Sequence, residues 1–418
     1  MKNTEEIIVE SFAAHPSSLR IALVTETFPP EVNGVAMTLG RLVEGLLQRG
    51  HAVQIVRPRQ PGAEASSPRE GLDEVLSPGV PIPSYGNFRF GLPSKNRLVK
   101  LWQQMRPDVV HVATEGPLGW SAVTAARKLQ LPVTSSFHTN FHNYSGHYGL
   151  GLLKTPIDAY LRKLHNRTMA TLVPTPALVA ALQARGYRNV SVLSRGVELS
   201  QFSPARRSSA LRASWGVAED DLAVVHVGRL AKEKNVGSVV LAFAAIQARV
   251  PNAKLVLVGD GPLRKLLQDN CPHAHFAGLR QGEDLAAHYA SGDLFLFPST
   301  TETYGNVVPE ALASGVPVLA YDYAAAANVV RPGHNGMLVP LGEEMQFVQA
   351  AVALASDRPA LQAMRQQAAA SVAHLGWAAV YDSFVGTLRT VVQCHGGHFS
   401  LAPHLLPSAT SATSVPSA

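Results

Sequence analysis

Short apolar runs alternate with stretches of helical spacing along most of the chain, the pattern of β–α–β units laid on a parallel sheet. In the first half the runs Leu19–Thr25, Ala52–Arg57, Val109–Val112, Val133–Phe137 and Ala170–Pro174 read as buried strands. A Pro-Pro turn follows the first of them, and apolar spacing then predicts a helix from about Val35 to Gln48, closed by Gly50. The stretch Pro58–Pro83, rich in Pro, Gly, Ser and Glu, reads as loop. Periodicity breaks down between Arg195 and Arg212, a Ser- and Arg-rich linker, and then restarts. Leu222–Val227, Lys254–Val258, His275–Phe276, Leu294–Phe297, Val318–Ala320 and Met337–Val339 are six strand candidates, with helical segments between most of them.

Two successive α/β halves of this kind predict an α/β fold of two Rossmann-like, doubly wound domains. The expected boundaries are an N-terminal extension at 1–18, a first domain at 19–198 and a second at 199–375. A helix at 376–392 is expected to cross back to the first domain, and the Ser-, Thr-, Ala- and Pro-bearing tail at 393–418 to be disordered. Open parallel sheets hold ligands beyond the carboxyl ends of their strands, so two such domains facing each other would enclose a cleft there.

Length agrees with this division, since 418 residues exceed what one ordinary core organises. With 46% hydrophobic and 16% charged residues the chain is globular, which excludes a mostly disordered class. Cys271 and Cys394 lack metal-ligand spacing, and two thiols fit a reducing, cytoplasmic compartment. The segment Met1–Ser18 carries Glu5, Glu6 and Glu10 and no long apolar stretch, unlike a signal peptide. No run of about 18 consecutive apolar residues occurs, so any contact with lipid is expected to be peripheral.

The net charge of +6 is unevenly spread. Residues 1–200 hold 21 Lys and Arg against 14 Asp and Glu, whereas residues 201–418 hold 15 against 16. A basic first half can face anionic lipid, nucleic acid or acidic substrates, or be an ordinary solvated surface. Within it, Gly151 to Arg167 read as a helix puts Leu153, Ile157, Tyr160, Leu161 and Leu164 on one face, with Lys154, Arg162, Lys163 and Arg167 around it. That stripe either rests among anionic headgroups on the inner face of a membrane or packs on the first domain's core.

Four segments carry candidate chemistry, each at the end of a predicted strand. In Thr25-Glu-Thr-Phe-Pro-Pro-Glu-Val-Asn-Gly34-Val, a glycine ahead of a helix lets backbone approach a phosphate and aims helix N–H groups at it, although a plain turn glycine reads the same. Gly228-Arg229-Leu-Ala-Lys232-Glu-Lys234-Asn235 offers a guanidinium fork and a point charge, which suit a diphosphate; a solvated basic turn is the alternative. Without Gly-Lys-Ser/Thr it is not a Walker loop. In Val258-Gly259-Asp260-Gly261-Pro262, Arg264 stands where a dinucleotide fingerprint needs its third glycine, which argues against an NAD enzyme. The fourth segment, Pro298-Ser299-Thr-Thr-Glu302-Thr303-Tyr304-Gly305-Asn306-Val-Val-Pro-Glu310, sets one carboxylate in a loop and another in the following helix. Carboxylates accept from sugar and ribose hydroxyls, and loop N–H groups from Thr303 to Asn306 would face an anion at the positive end of that helix.

Together these segments resemble the retaining family 4 glycosyltransferases of GT-B fold. The resemblance runs from about Arg20 to Val392, and its most specific part is Glu302-x7-Glu310 with Gly228-Arg229-Leu upstream. In the first half, Glu31-Val-Asn-Gly34-Val, Ser136-Phe-His138-Thr-Asn140-Phe and Ser194-Arg195-Gly-Val197 are most similar to bacterial GDP-mannose-dependent α-mannosyltransferases. They are similar also to UDP-sugar enzymes that glycosylate diacylglycerol. Glu198 stands where relatives usually carry Asp.

The resemblance implies that Gly34 contacts the donor diphosphate from the first domain, and that Arg229 and Lys234 hold it and stabilise the leaving group. It implies that Glu302 binds hydroxyls of the transferred hexose, Glu310 the nucleotide ribose, and that His138 sits against the reacting sugar. Arg195, Gly259, Gly261, Thr303, Tyr304, Gly305 and Asn306 complete the implied donor site. No metal or cofactor is implied. The implied partners are a nucleotide-diphosphate sugar, a lipid or glycan acceptor and, peripherally, an anionic membrane; nucleic acid is not among them. A phosphorylase or a sugar-nucleotide epimerase of the same fold is the rival enzyme class, although no lysine context suits a pyridoxal cofactor. A non-enzymatic sugar-nucleotide sensor is the third reading.

Overall fold

Two parallel sheets carry the chain, as the alternating pattern predicts. The computed structural model describes residues 18–31, 33–60, 69–82, 85–137, 154–302 and 304–396. Residues 1–17 of the N-terminal extension, the tail from 397, His138 and Thr303 lie outside them.

The first sheet has seven strands: β1 (Arg20–Val24), β2 (Ala52–Pro58), β3 (Leu72–Ser77), β6 (Val109–Val112), β7 (Val133–Ser136), β8 (Ala170–Val173) and β9 (Val190–Val192). Their order is β3-β2-β1-β6-β7-β8-β9, so it reverses between β1 and β6. A small antiparallel pair, β4 (Gly79–Ile82) and β5 (Tyr85–Gly91), is separate. Helices α1 (Gly34–Gln48), α2 (Lys95–Gln104), α3 (Pro117–Lys128), α4 (Lys154–His165) and α5 (Pro176–Ala184) connect the strands. Ile21 to Val24 are buried without interruption because parallel strands are covered on both faces, which is why they read as continuous apolar runs. From α2, Trp102 is fully buried and keeps its indole N–H on Gln54 Oε1 at 3.1 Å.

The second sheet is made of β10 (Ala223–Val227), β11 (Lys254–Val258), β12 (His275–Gly278), β13 (Leu294–Phe297), β14 (Val318–Tyr321) and β15 (Gly336–Val339), one for each of the six runs read from sequence. Its order, β12-β11-β10-β13-β14-β15, reverses between β10 and β13. The helices of this half are α6 (Ser209–Ser214), α7 (Val236–Gln247), α8 (Arg264–Asn270), α9 (Gly282–Ala290), α10 (Val307–Ala313), α11 (Ala324–Val329), α12 (Glu344–Ser356), α13 (Arg358–Ser371) and α14 (Trp377–Gly396). The described residues form two compact units. One takes the chain up to Phe137, Leu161–Thr171 and the end of α14 from Gly386; the other takes residues 154–160, the start of α4, and Leu172–Val385. The C-terminal helix thus starts in the second unit and finishes in the first.

Two local readings change, and one left open is narrowed. The stretch Pro58–Pro83, expected to be loop, contains β3 and β4. Acidic residues hid β3: Glu74 is buried in this edge strand because it pairs with Arg57 of β2. The linker is not irregular throughout, since it forms a short 3-10 turn at Pro204–Arg206 and then α6. Val197, Phe202, Trp215 and Val217 sink into the core around Val225 and Phe295. Of the apolar stripe on α4, Leu161 and Leu164 are buried, Leu164 in one cluster with Leu118 and Val133, as the core-packing reading has it, whereas Tyr160 is exposed. Arg167, just beyond the helix, lies 4.8 Å over the Trp120 ring.

The linker is also fastened by charge. Asp293, at the entry to β13, accepts from Arg207 Nη2, Arg212 Nη1 and Arg365 Nη1, each at 2.9 Å, and from the Ala223 amide at 2.8 Å. One carboxylate thereby joins the linker, α6, β10 and α13.

Candidate active site

The reversal point of the second sheet, where open α/β folds bind ligands, gathers the strongest sequence-predicted residues. β10 ends on Val227, and the chain turns through Gly228 and Arg229 into a 3-10 turn at Lys232–Lys234. Asn235, at φ +53°, takes the left-handed conformation that swings it into α7. From β13 the chain continues through Ser299, Thr301 and Glu302 toward α10. The Lys234 ammonium donates to Glu302 Oε1, and Ser299 Oγ donates to the same oxygen at 2.7 Å. Thr301 Oγ1 donates to the Glu233 carbonyl at 3.0 Å, and Tyr323 OH to the Glu302 carbonyl at 2.8 Å. The Lys234 and Glu302 side chains remain 22% and 13% exposed, so a ligand can reach both.

Around this pair the sites differ in character. Arg195 is buried, which lowers its guanidinium from the ordinary value, while the negative potentials of Tyr304 and Glu302 act to raise it. Burial pushes the Tyr304 hydroxyl up to about 12. Gly305 holds φ +91°, a conformation that favours glycine, and a side chain there would start 3.4 Å from Glu302 Cγ. The amides of Gly305 and Asn306 have no acceptor among the described residues. Glu310, in the first turn of α10, accepts from Tyr289 OH at 3.0 Å; burial outweighs that bond and lifts its carboxyl to about 7. Near neutral pH this group is divided between its acid and carboxylate forms.

Gly259 and Gly261 fit a second requirement. A side chain on Gly259 would begin 2.0 Å from the Gly228 carbonyl oxygen, and one on Gly261 2.5 Å from that of Leu230. Backbone bonds Gly228 N to Val258 O, 3.0 Å, and Leu230 N to Asp260 O, 2.9 Å, hold the two turns together. Arg229 lies on the same turn after β10 as Lys234. Its guanidinium is 57% exposed and bonds Glu233 at 3.2 Å.

In the first unit, Gly34 opens α1 as expected, but the amides that follow are not aimed outward. Asn33 Oδ1 accepts from Val35 N at 3.0 Å and from Ala36 N at 2.9 Å, which caps the helix internally. The carboxyl ends of β1 and β6 carry two acids that sequence reading did not single out. Glu26 accepts from the Leu118 amide at 3.2 Å, yet burial lifts its carboxyl to about 7. Glu115 lies 3.6 Å from His165 Nε2. Glu26 stands inside a segment already quoted for its glycine, so its position after a strand was the available signal. Tyr289 had none, because it approaches Glu310 from another helix.

Comparison with known proteins follows the same division. Residues 32–201 match Glycosyltransferase Family 4, and residues 221–357 match Glycosyl transferases group 1. The chain is 35% identical over 379 residues to the GDP-mannose-dependent alpha-mannosyltransferase of Mycobacterium tuberculosis, spanning 89% of this chain and 97% of that one. It is 27% identical over 333 residues to the alpha-monoglucosyldiacylglycerol synthase of Streptococcus pneumoniae, spanning 77% of this chain and 75% of the other. Among solved structures, sucrose-phosphate synthase from Thermosynechococcus elongatus superposes with a TM-score of 0.72 at 18% identity, covering 90% of this chain and all of that one (100%). With both halves matched and a relative this similar along nearly its whole length, the chain belongs to glycosyltransferase family 4 and is a hexosyltransferase of GT-B fold.

Proposed function

We propose that the chain transfers mannose from GDP-mannose to a lipid or glycan acceptor with retention at the anomeric carbon. The observation that carries this reading is the Lys234–Glu302 pair at the reversal point of the second sheet, taken with the likeness to a GDP-mannose-dependent enzyme. Lys234, assisted by Arg229, neutralises the departing diphosphate; such preorganised electrostatic stabilisation is the largest catalytic term available. Glu302 accepts from hydroxyls of the hexose, which requires it to exchange its bond to Lys234 for the sugar. Glu310 takes the ribose. The amides of Gly305 and Asn306, with Arg195 and the turns of Gly259 and Gly261, take the diphosphate. The acceptor hydroxyl attacks from the face that the diphosphate leaves. One C–O bond breaks as the other forms, and the leaving phosphate oxygen takes the hydroxyl proton, so no protein nucleophile is needed.

The test is release of nucleotide diphosphate in the presence and absence of a lipid extract. GDP should appear from GDP-mannose, and fast only with acceptor. UDP released from UDP-glucose instead would establish the second reading, a UDP-sugar-dependent diacylglycerol glycosyltransferase, which the likeness to the monoglucosyldiacylglycerol synthase favours. Binding of both donors without turnover on any acceptor would defeat both.

A lipid acceptor would be met at the cytoplasmic face of the membrane through peripheral contact. Among the described residues no helix is long and apolar enough to cross a bilayer. Because Leu161 and Leu164 are core residues, α4 would meet headgroups through exposed Tyr160 and Lys163 rather than by inserting its stripe. Sedimentation with anionic liposomes at low salt is expected, with weakening by salt and by Lys163→Gln, since each nearby cation contributes about 1 kcal/mol. Protein that stays in the supernatant with every lipid mixture would rule the contact out.

A further inference from the structure

β10 and β13 pair only as far as Val225 and Phe295. Past that point a side chain takes over from the ladder, with His226 Nδ1 lying 2.9 Å from the carbonyl oxygen of Leu296. A carbonyl only accepts, so Nδ1 carries the proton and Nε2 presents a lone pair. The ring is fully buried and stacks beside Phe295 and Phe297. Burial pushes its pKa down to about 4, and the charge of Lys234 adds to that effect, so the imidazole is neutral. Its Nε2 is buried and has no hydrogen-bond partner among the described residues. That nitrogen lies 3.5 Å from where a side chain on Gly228 would begin, beneath the turn that leads to Lys234. Buried acceptors left unmet are costly and rare, and here the unmet one sits under a loop that carries a cation.

We propose that His226 is a positioning residue of the donor site: with Nδ1 fixed on Leu296, Nε2 accepts a hydrogen bond from the Lys234 ammonium once a bound sugar nucleotide has drawn Glu302 onto its hydroxyls. This rests on the assignment of Lys234 and Glu302 to the donor. The histidine then holds the ammonium toward the diphosphate at the moment its former partner leaves. A ring that served structure alone would need the Leu296 bond and nothing at Nε2.

Asparagine and glutamine separate the two nitrogens. His226→Asn can keep a donor on Leu296 but offers no acceptor at Nε2, whereas His226→Gln reaches the Nε2 position and loses the Leu296 bond. Calorimetric titration with GDP-mannose and with UDP-glucose, together with thermal unfolding, reads both variants. His226→Asn should remain folded, with a lowered unfolding temperature from the smaller buried side chain, and bind its donor about tenfold more weakly, the scale of one hydrogen bond to a charged group. In a Lys234→Ala background the same change should cost nothing further. His226→Gln should bind within about threefold of wild type and unfold earlier, so it decides the matter even if the Asn variant fails to fold. Wild-type affinity in His226→Asn, an equal loss in both backgrounds, or lost binding in a folded Gln variant overturns the proposal while leaving the donor site standing. Undiminished binding by Lys234→Ala alone removes the donor assignment, and this proposal with it.

Discussion

Lys234→Ala should lower turnover by about a hundredfold or more, the scale of removing one preorganised donor that faces developing negative charge. Thermal stability should hardly change. The ammonium is partly open to solvent, and among the described residues its bond to Glu302 is one of two that the carboxylate accepts, so the pair adds little to the folded state. The two expectations together distinguish a catalytic loss from a folding loss. Initial rates of nucleotide-diphosphate release at saturating donor, measured beside a melting curve, provide both. Rates near wild type in a folded Lys234→Ala protein would mean that the diphosphate lies elsewhere, and that the pairing with Glu302 is only a tie between two loops.

The largest effect on stability is expected at Asp293, far from the chemistry. Asp293→Ala leaves Arg207, Arg212 and Arg365 crowded without their shared carboxylate, and removing one partner of a buried ion pair typically costs about 3–5 kcal/mol. For a unit of this size that corresponds to a fall in Tm of about 10 °C or more. Burial alone would raise the Asp293 pKa; the Ala223 amide and the three guanidiniums outweigh it and hold the carboxyl below its ordinary value. A depressed carboxylate contributes stability above its unfolded pKa and loses that contribution as pH falls through the folded value. Acid should therefore narrow the gap between wild type and Asp293→Ala, measured by calorimetry across pH. A shift of less than about 2 °C at neutral pH, roughly half a kcal/mol, would mean that the carbonyls of Ala290, Ser291 and Gly292 satisfy the arginines unaided.

What could be read from the sequence was whatever is local. The strands of the second sheet announced themselves as apolar runs, because burial on both faces leaves no polar alternation to confuse them. The Glu302-to-Glu310 spacing and the cations after β10 were visible because each lies on the loop that leaves a strand or on the helix that follows it. β3 was missed because Asp73 and Glu74 look like loop residues until Arg57, on a neighbouring strand, is known to face Glu74. The hub at Asp293 draws on residues more than seventy positions away, and no spacing rule links them. Arg229 shows the other limit: spacing puts it on the turn after β10, but no spacing rule says that its side chain bonds Glu233.

The fit of Gly259 and Gly261 against the carbonyls of Gly228 and Leu230 bears on how this enzyme can be re-engineered. The turn after β10 and the turn after β11 touch backbone to backbone, with no side chain between them to absorb a mismatch. A graft meant to change donor preference by importing a turn after β11 without glycine at these two positions would drive a side chain into the carbonyls of the turn after β10. Libraries that vary the segment 258–263 should therefore keep Gly259 and Gly261, since any side chain there runs into the carbonyls of the neighbouring turn.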